Sequence, residues 1–151
     1  MGLLRAAGAR LPLYDGDVEN EGVPAKVAEF KAKVAAADAV LFASPEYNFS
    51  ITGALKNALD WASRTPNAFA DKPAAVMGAG GGAGTAMSQA HLRQVCVFLD
   101  IHFVNKPAVM ANAFAPGNFD MATGDLVNDG IKDRVAELVG ALVAWTHRLR
   151  Q

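Results

Sequence analysis

An apolar run that stops at a proline and reopens as an amphipathic helix fixes the class of this chain. Residues 39–44 read Ala-Val-Leu-Phe-Ala-Ser, Pro45 ends them, and Leu55, Leu59 and Ala62 recur at helical spacing between Gly53 and Ser63. A strand apolar on both faces is buried on both faces, the condition of a parallel sheet covered by helices. The polar-aromatic loop 45–50 between the two elements falls beyond a strand's carboxyl end and before a helix, where such folds meet their ligands.

The same grammar recurs along the chain. Pro24 opens a helix with Val27, Phe30, Val34 and Ala37 on one face. Lys72-Pro73 leads into a second buried strand, Ala74 to Ala79, followed by Gly80, Gly81, Gly82 and Gly84. A helix with Leu92, Val95, Cys96 and Leu99 on one side comes next. Ile101 to Val104 and Ala108 to Ala111 read as one strand broken at Lys106-Pro107, and residues 112–126 read as loop. The last helix turns Ile131, Val135, Leu138, Leu142 and Val143 inward, with Asn128 as its cap and Arg148 and Arg150 at its carboxyl end. Helix and strand alternate throughout, which predicts an α/β fold with a parallel sheet. No repeat or linker divides residues 1–151, so one domain is expected.

Composition narrows the function classes. A chain of 151 residues, 52% hydrophobic and 19% charged, can bury a core and is not of disordered composition. A net charge of −1 weighs against nucleic acid, which calls for a basic face. No apolar run approaches the ~18 residues of a membrane span, and the apolar part of Met1-Gly-Leu-Leu-Arg-Ala-Ala is too short for a signal peptide. Cys96 is the single cysteine, so the expectation is a reducing, cytoplasmic setting. His91, His102 and His147 are too scattered to suggest a metal site.

Two loops are candidate sites. In the first, Tyr47 and Phe49 could wall a planar ring, Asn48 offers donors and an acceptor, and Glu46 is suited to accept loop N–H bonds. The helix amino terminus behind it would favour an electron-rich ligand. An ordinary turn whose aromatics fill a gap fits the pattern equally well. In the second, the glycines 80–84 let backbone approach a ring or a phosphate, or simply make a flexible turn; they match neither the dinucleotide fingerprint nor a P-loop. Lys56 and Asp60 are spaced to pair on one helix face. Trp61 and Trp145 read as core or interface, Cys96 as a small core residue, and His91 and Arg93 as surface groups or as partners of a phosphate.

Pro45-Glu-Tyr-Asn-Phe-Ser50 followed by Leu55-Lys-Asn-Ala-Leu-Asp-Trp-Ala-Ser-Arg64 resembles the signature of the NADPH-dependent FMN reductase family. Phe42-Ala-Ser-Pro-Glu-Tyr-Asn-Phe-Ser, Ala70-Asp-Lys-Pro-Ala-Ala75 and His91-Leu-Arg-Gln94 are most similar to its plant-type NADPH:quinone reductases. The resemblance implies a flavodoxin-like, three-layer fold with non-covalent FMN. It implies that Pro45, Glu46, Tyr47, Asn48, Phe49 and Ser50 hold the isoalloxazine and ribityl side. Gly80, Gly81, Gly82 and Gly84 would lie against the ring's other edge. It further implies NAD(P)H as co-substrate, two-electron reduction of a quinone through the flavin, and a homodimer or homotetramer.

Family members begin with a strand and a phosphate-gripping loop before a first helix. Here residues 2–7 look like the end of that helix, and the chain passes through residues 8–10 to Leu11-Pro-Leu-Tyr-Asp15, which in relatives follows the second strand. The first strand and most of the second are therefore expected to be missing. That leaves a three-stranded sheet with Ala39–Ser44 as an apolar edge. Two or three fewer charge-assisted bonds to the phosphate, each worth ~1.5–3 kcal/mol, would weaken FMN binding by orders of magnitude. An alternative role is a catalytically inactive remnant that associates with full-length reductase subunits.

Overall fold

Two of the apolar stretches become neighbouring parallel strands. In the structure, a computed structural model that describes residues 10–151, β1 (Val40–Ala43) runs beside β2 (Lys72–Gly80), with Val40 opposite Ala74 and Ala43 opposite Met77. The reading of residues 2–7 as a helix end falls outside the described residues. β2 carries the third strand on its other edge in two pieces. β3 (Ile101–Phe103) pairs with Lys72–Ala74, and β4 (Val109–Asn112) with Met77–Gly80, both parallel. The break expected at Lys106-Pro107 is therefore real, and both pieces lie on one strand line. Among the described residues β1 pairs with β2 alone and forms the sheet's edge.

Side-chain alternation along β2 sends Ala74 and Val76 to one face and Ala75 and Met77 to the other, so each face needs its own cover. On the first lie α2 (Ala25–Ala36), α3 (Gly53–Ala62) and α4 (Ala86–Phe98), contributing Val34, Leu59, Ala62, Leu92 and Cys96 around Phe42 and Phe69. On the second, α5 (Asp129–Leu149) brings Leu138 and Leu142 onto Ala75, Val104 and Val109. Helices on both faces of a parallel sheet make the expected three-layer, flavodoxin-like fold.

The helix ends follow local chemistry. Thr52 caps α3 by accepting from Leu55 N at 3.1 Å, and Asn128 caps α5 by accepting from Ile131 N at 3.1 Å, as its sequence position suggested. A short helix, α1 (Gly16–Glu21), precedes α2 where the sequence carries no helical pattern. It has no buried residue and hence no apolar period, and only the Asp15 cap, its acidic first turn and Gly22 mark it.

Residues 11–15 are held on α3 by polar contacts rather than by a strand. Pro12 O accepts from Trp61 Nε1 at 2.8 Å and Asn57 Nδ2 at 2.9 Å, and Asn57 Oδ1 accepts from Tyr14 N at 2.8 Å. The Tyr14 ring meets Trp61 edge-on at 4.9 Å and carries the Arg64 guanidinium at 5.3 Å. Trp61 is thus core with a satisfied indole, and Trp145 likewise donates to His102 O at 2.9 Å.

One inward assignment is corrected. Val143 is 52% exposed, because the buried stripe of α5 runs Leu138, Leu142 and Thr146, and residue 143 lies about 100° around the helix from 142. Truncating Leu142 to alanine is expected to cost about 2–5 kcal/mol, while Val143→Ala stays within about 0.5 kcal/mol, as read by urea unfolding. Cys96 is fully buried on α4, and burial pushes its thiol pKa up to about 12. At pH 8 it is therefore a neutral thiol, so alkylation by iodoacetamide should require unfolding. Reaction of the native protein at the rate of a free thiol would contradict that environment.

Candidate functional site

The carboxyl ends of β1 and β2 point the same way and each opens into a tight turn. After β1, Tyr47 and Ser50 exchange backbone N–H bonds at 3.0 Å in both directions. Asn48 and Phe49 form the tip, both in the left-handed region at φ 52° and 60°. That is the pattern of a two-residue primed turn, normally filled by Asn and Gly; a phenylalanine there is strained. After β2, Gly81 and Gly84 close a second two-residue turn, with Gly84 N donating to Gly81 O at 2.8 Å. The two loops singled out in the sequence are therefore neighbours at one edge of the sheet.

Within the first loop the side chains divide. Glu46 and Ser50 are half-buried and turn toward α4, whereas Pro45, Tyr47, Asn48 and Phe49 face outward. Tyr47 is 62% and Phe49 71% exposed, so these aromatics do not fill a gap in the protein. Glu46 Oε2 accepts from Ser88 N at 2.9 Å, in the first turn of α4 rather than in its own loop as expected. His91 Nδ1 lies 3.1 Å from Ser50 Oγ. Arg93 is directed away from the loops, donating to Val104 O at 2.9 Å and stacking over Phe103 at 4.7 Å.

The glycines differ in what they make room for. A Cβ on Gly80 would lie 2.2 Å from Gly84 O, and one on Gly84, at φ +62°, 2.7 Å from Met110 O; the protein's own backbone forbids both. Gly81 and Gly82 have nothing within 4 Å of a Cβ. Nothing in the fold explains their bare backbone, and it faces open space.

Sequence reasoning missed the residues that join these parts. Gly78, inside β2, lets Ser44 O come within 2.1 Å of where its Cβ would be, with Thr85 Oγ1 at 2.8 Å. Thr85 is fully buried and accepts from Gln89 Nε2 at 2.9 Å; Gln89 Nε2 also donates to Val109 O at 2.8 Å. A glycine within a strand does signal close backbone approach, which is the one cue the sequence held. The loop after β4 hangs from the same place, Ala113 N donating to Gly80 O at 2.7 Å, and leaves Phe114 exposed.

The expected partner charges resolve simply. Lys56 Nζ reaches both Asp60 oxygens at 2.6 and 2.8 Å, an exposed pair worth little in stability. A groove of about 410 Å³ lined by Lys31, Ala35, Pro66 and Lys72 lies at the opposite, amino-terminal end of β2. Its lysines donate to the backbone carbonyls of Arg64, Ala35 and Ala37 at 2.8–3.0 Å. Among the described residues no group of His, Cys, Asp and Glu could hold a metal ion, and no helix is long and apolar enough to cross a membrane.

Comparison with known proteins supports the fold and identifies the family. The profile of the family described as NADPH-dependent FMN reductase matches residues 2–116. An NADPH:quinone oxidoreductase of Arabidopsis thaliana is 52% identical over 141 residues, 93% of this chain and 72% of the relative. An NAD(P)H-dependent FMN reductase of Pseudomonas aeruginosa is 50% identical over 142 residues, 93% of this chain and 76% of the relative. Among solved structures, a flavoenzyme NAD(P)H:(acceptor) oxidoreductase from Paracoccus denitrificans matches with a TM-score of 0.80 at 31% identity, covering 92% of this chain and 76% of that one. With the family match and these relatives in agreement with the helix-covered parallel sheet, the chain belongs to the NADPH-dependent FMN reductase family of oxidoreductases.

Proposed function

We propose that the two turns hold the flavin ring of FMN and that the chain is an FMN-dependent NAD(P)H:quinone oxidoreductase. The observation that carries this reading is the bare backbone of Gly81 and Gly82, with nothing within 4 Å of a Cβ, beside a turn that exposes Tyr47 and Phe49. Missing side chains on one turn and outward aromatics on the next suit a flat, apolar-faced ring with a polar rim. The residues present therefore fit the group. Pro45, Glu46, Tyr47, Asn48, Phe49 and Ser50 would form one wall of the slot, and Gly80, Gly81, Gly82 and Gly84 the other.

Bound FMN supplies the chemistry, accepting hydride from NAD(P)H and passing two electrons to a quinone. The protein's part is orientation. Asn48 at the turn's tip has two donors and an acceptor for the ring's polar edge. The N3 amides of α3 and α4 are already taken by Thr52 and Glu46. Free helix N–H groups are therefore a smaller part of the attraction than the sequence suggested, and ring packing a larger one.

Titration of FMN into the purified chain should quench flavin fluorescence, and excess FMN should support NADPH-dependent quinone reduction. A protein that neither quenches flavin fluorescence nor oxidises NADPH would end the reading. The two kinds of glycine give a finer test. Gly80→Ala should lower stability by about 1–3 kcal/mol through overpacking. Gly82→Ala should leave stability within about 0.5 kcal/mol but weaken FMN binding. Unchanged FMN affinity in Gly82→Ala would remove the bare backbone from the ring's surroundings.

A further inference from the structure

The amino terminus of α4 is capped from outside its own chain segment. Its N-cap residue, Thr85, makes no side-chain cap bond; its hydroxyl accepts from Gln89 Nε2 at 2.9 Å instead. The N3 amide, Ser88 N, donates to Glu46 Oε2 at 2.9 Å, across 42 residues of sequence. A carboxylate at this position gains both from the charged hydrogen bond and from the helix dipole. One turn further along α4, and so on the same face, His91 Nδ1 meets Ser50 Oγ at 3.1 Å. Two side-chain links thus tie the first turn to the helix that leaves the second.

We infer that Glu46 and His91 are positioning residues, a two-point clasp that fixes the separation of the 47–50 and 81–84 turns and so builds the slot before any ring enters it. The inference rests on the placement of the ring between those turns proposed above. Within that placement it assigns Glu46 a different task from its neighbours. Tyr47, Asn48 and Phe49 face outward, while Glu46 faces α4 and spends its charge there. The strained tip makes the clasp necessary: with φ of 52° and 60° at Asn48 and Phe49, the turn needs anchoring at both ends to persist. Glu46 anchors it on one side and Ser50 on the other.

If the slot assembles in only a fraction of molecules, the apparent dissociation constant rises by the inverse of that fraction. Glu46→Ala should therefore weaken FMN binding by about tenfold to a hundredfold, the span of one charged hydrogen bond. Glu46→Gln keeps an acceptor for Ser88 N and should recover most of that loss, leaving a deficit of about threefold from the missing charge. The decisive readout needs no flavin. Amide exchange in the flavin-free chain should accelerate at both 47–50 and 86–89 in Glu46→Ala, and return toward wild-type rates in Glu46→Gln, while α5 is unchanged.

Weaker FMN binding in Glu46→Ala with unaltered exchange in both segments would overturn the clasp and make Glu46 a direct ligand contact. Equal loss in Glu46→Gln and Glu46→Ala would overturn it as well, since the amide keeps the link. Should the wild-type chain fail to bind FMN, the functional reading falls by itself. The exchange comparison would then still decide whether Glu46 holds the two turns together.

Discussion

The close approach of β1 to β2 at Gly78 governs the geometry at the sheet's carboxyl edge. Ser44 N donates to Met77 O at 3.1 Å, and Ser44 O lies 2.1 Å from the position a Cβ on Gly78 would occupy. Thr85, at the start of α4, packs against the same point from the other side. A side chain at residue 78 would push apart the end of β1 and the start of α4 together. Both turns would then move, because one grows out of Ser44 and the other ends at Thr85. Removing a single carbon atom therefore brings three elements to one point.

What is joined at that point is then held by polar groups that leave few loose ends. Thr85 and Gln89 are buried and bonded to each other, and Gln89 also donates to Val109 O on β4. Glu46 closes the first turn onto α4, and Ala113 N closes the loop after β4 onto Gly80 O. Glu46 and Gln89 thus tie the end of β1 and the start of β4 to α4 by side-chain bonds outside the sheet, and the Ala113 bond extends the β2–β4 ladder by one residue. Buried polar groups satisfied in this way define one arrangement, since each would be costly to leave unpaired in another. Rigidity behind the loops is what a site needs if its outward residues are to present a fixed surface.

The strands, the order of helices and the two loops were legible because they depend on local patterns. Residues 39–44 and 74–79 are apolar on both faces, and only a covered parallel sheet accommodates that. Asn128 was readable as a cap because its partner, Ile131 N, is three residues away. Glu46 was readable as an acceptor of N–H bonds, but its partner is 42 residues distant and no local rule points to it. Val143 illustrates the opposite case: an apolar residue beside a good stripe invites inclusion, but helical spacing carries the stripe from Leu138 and Leu142 to Thr146, whose hydroxyl donates to the Leu142 carbonyl at 2.7 Å. The short α1 left no apolar period to read. The glycines 80–84 looked alike in sequence, and only their surroundings separate the two that serve packing from the two that do not.

That separation bears on why the exposed edge has this composition. Folding alone explains Gly78, Gly80 and Gly84, where a Cβ meets backbone at 2.1–2.7 Å. It explains neither Gly81 nor Gly82, where alanine would fit and would lower the entropy of the unfolded chain. Nor does it explain Phe49, whose backbone sits at φ 60° while its ring is 71% exposed. Glycine at the tip would relieve the backbone, and a polar residue would cost no apolar exposure. Side chains are thus missing from one turn without steric need, and the next holds an aromatic against its backbone preference. Departures from the most stable choice gather where a structure meets something other than itself. Here a turn with bare backbone at Gly81 and Gly82 lies beside a turn that holds an exposed phenylalanine in the left-handed region, and both leave the carboxyl ends of neighbouring strands.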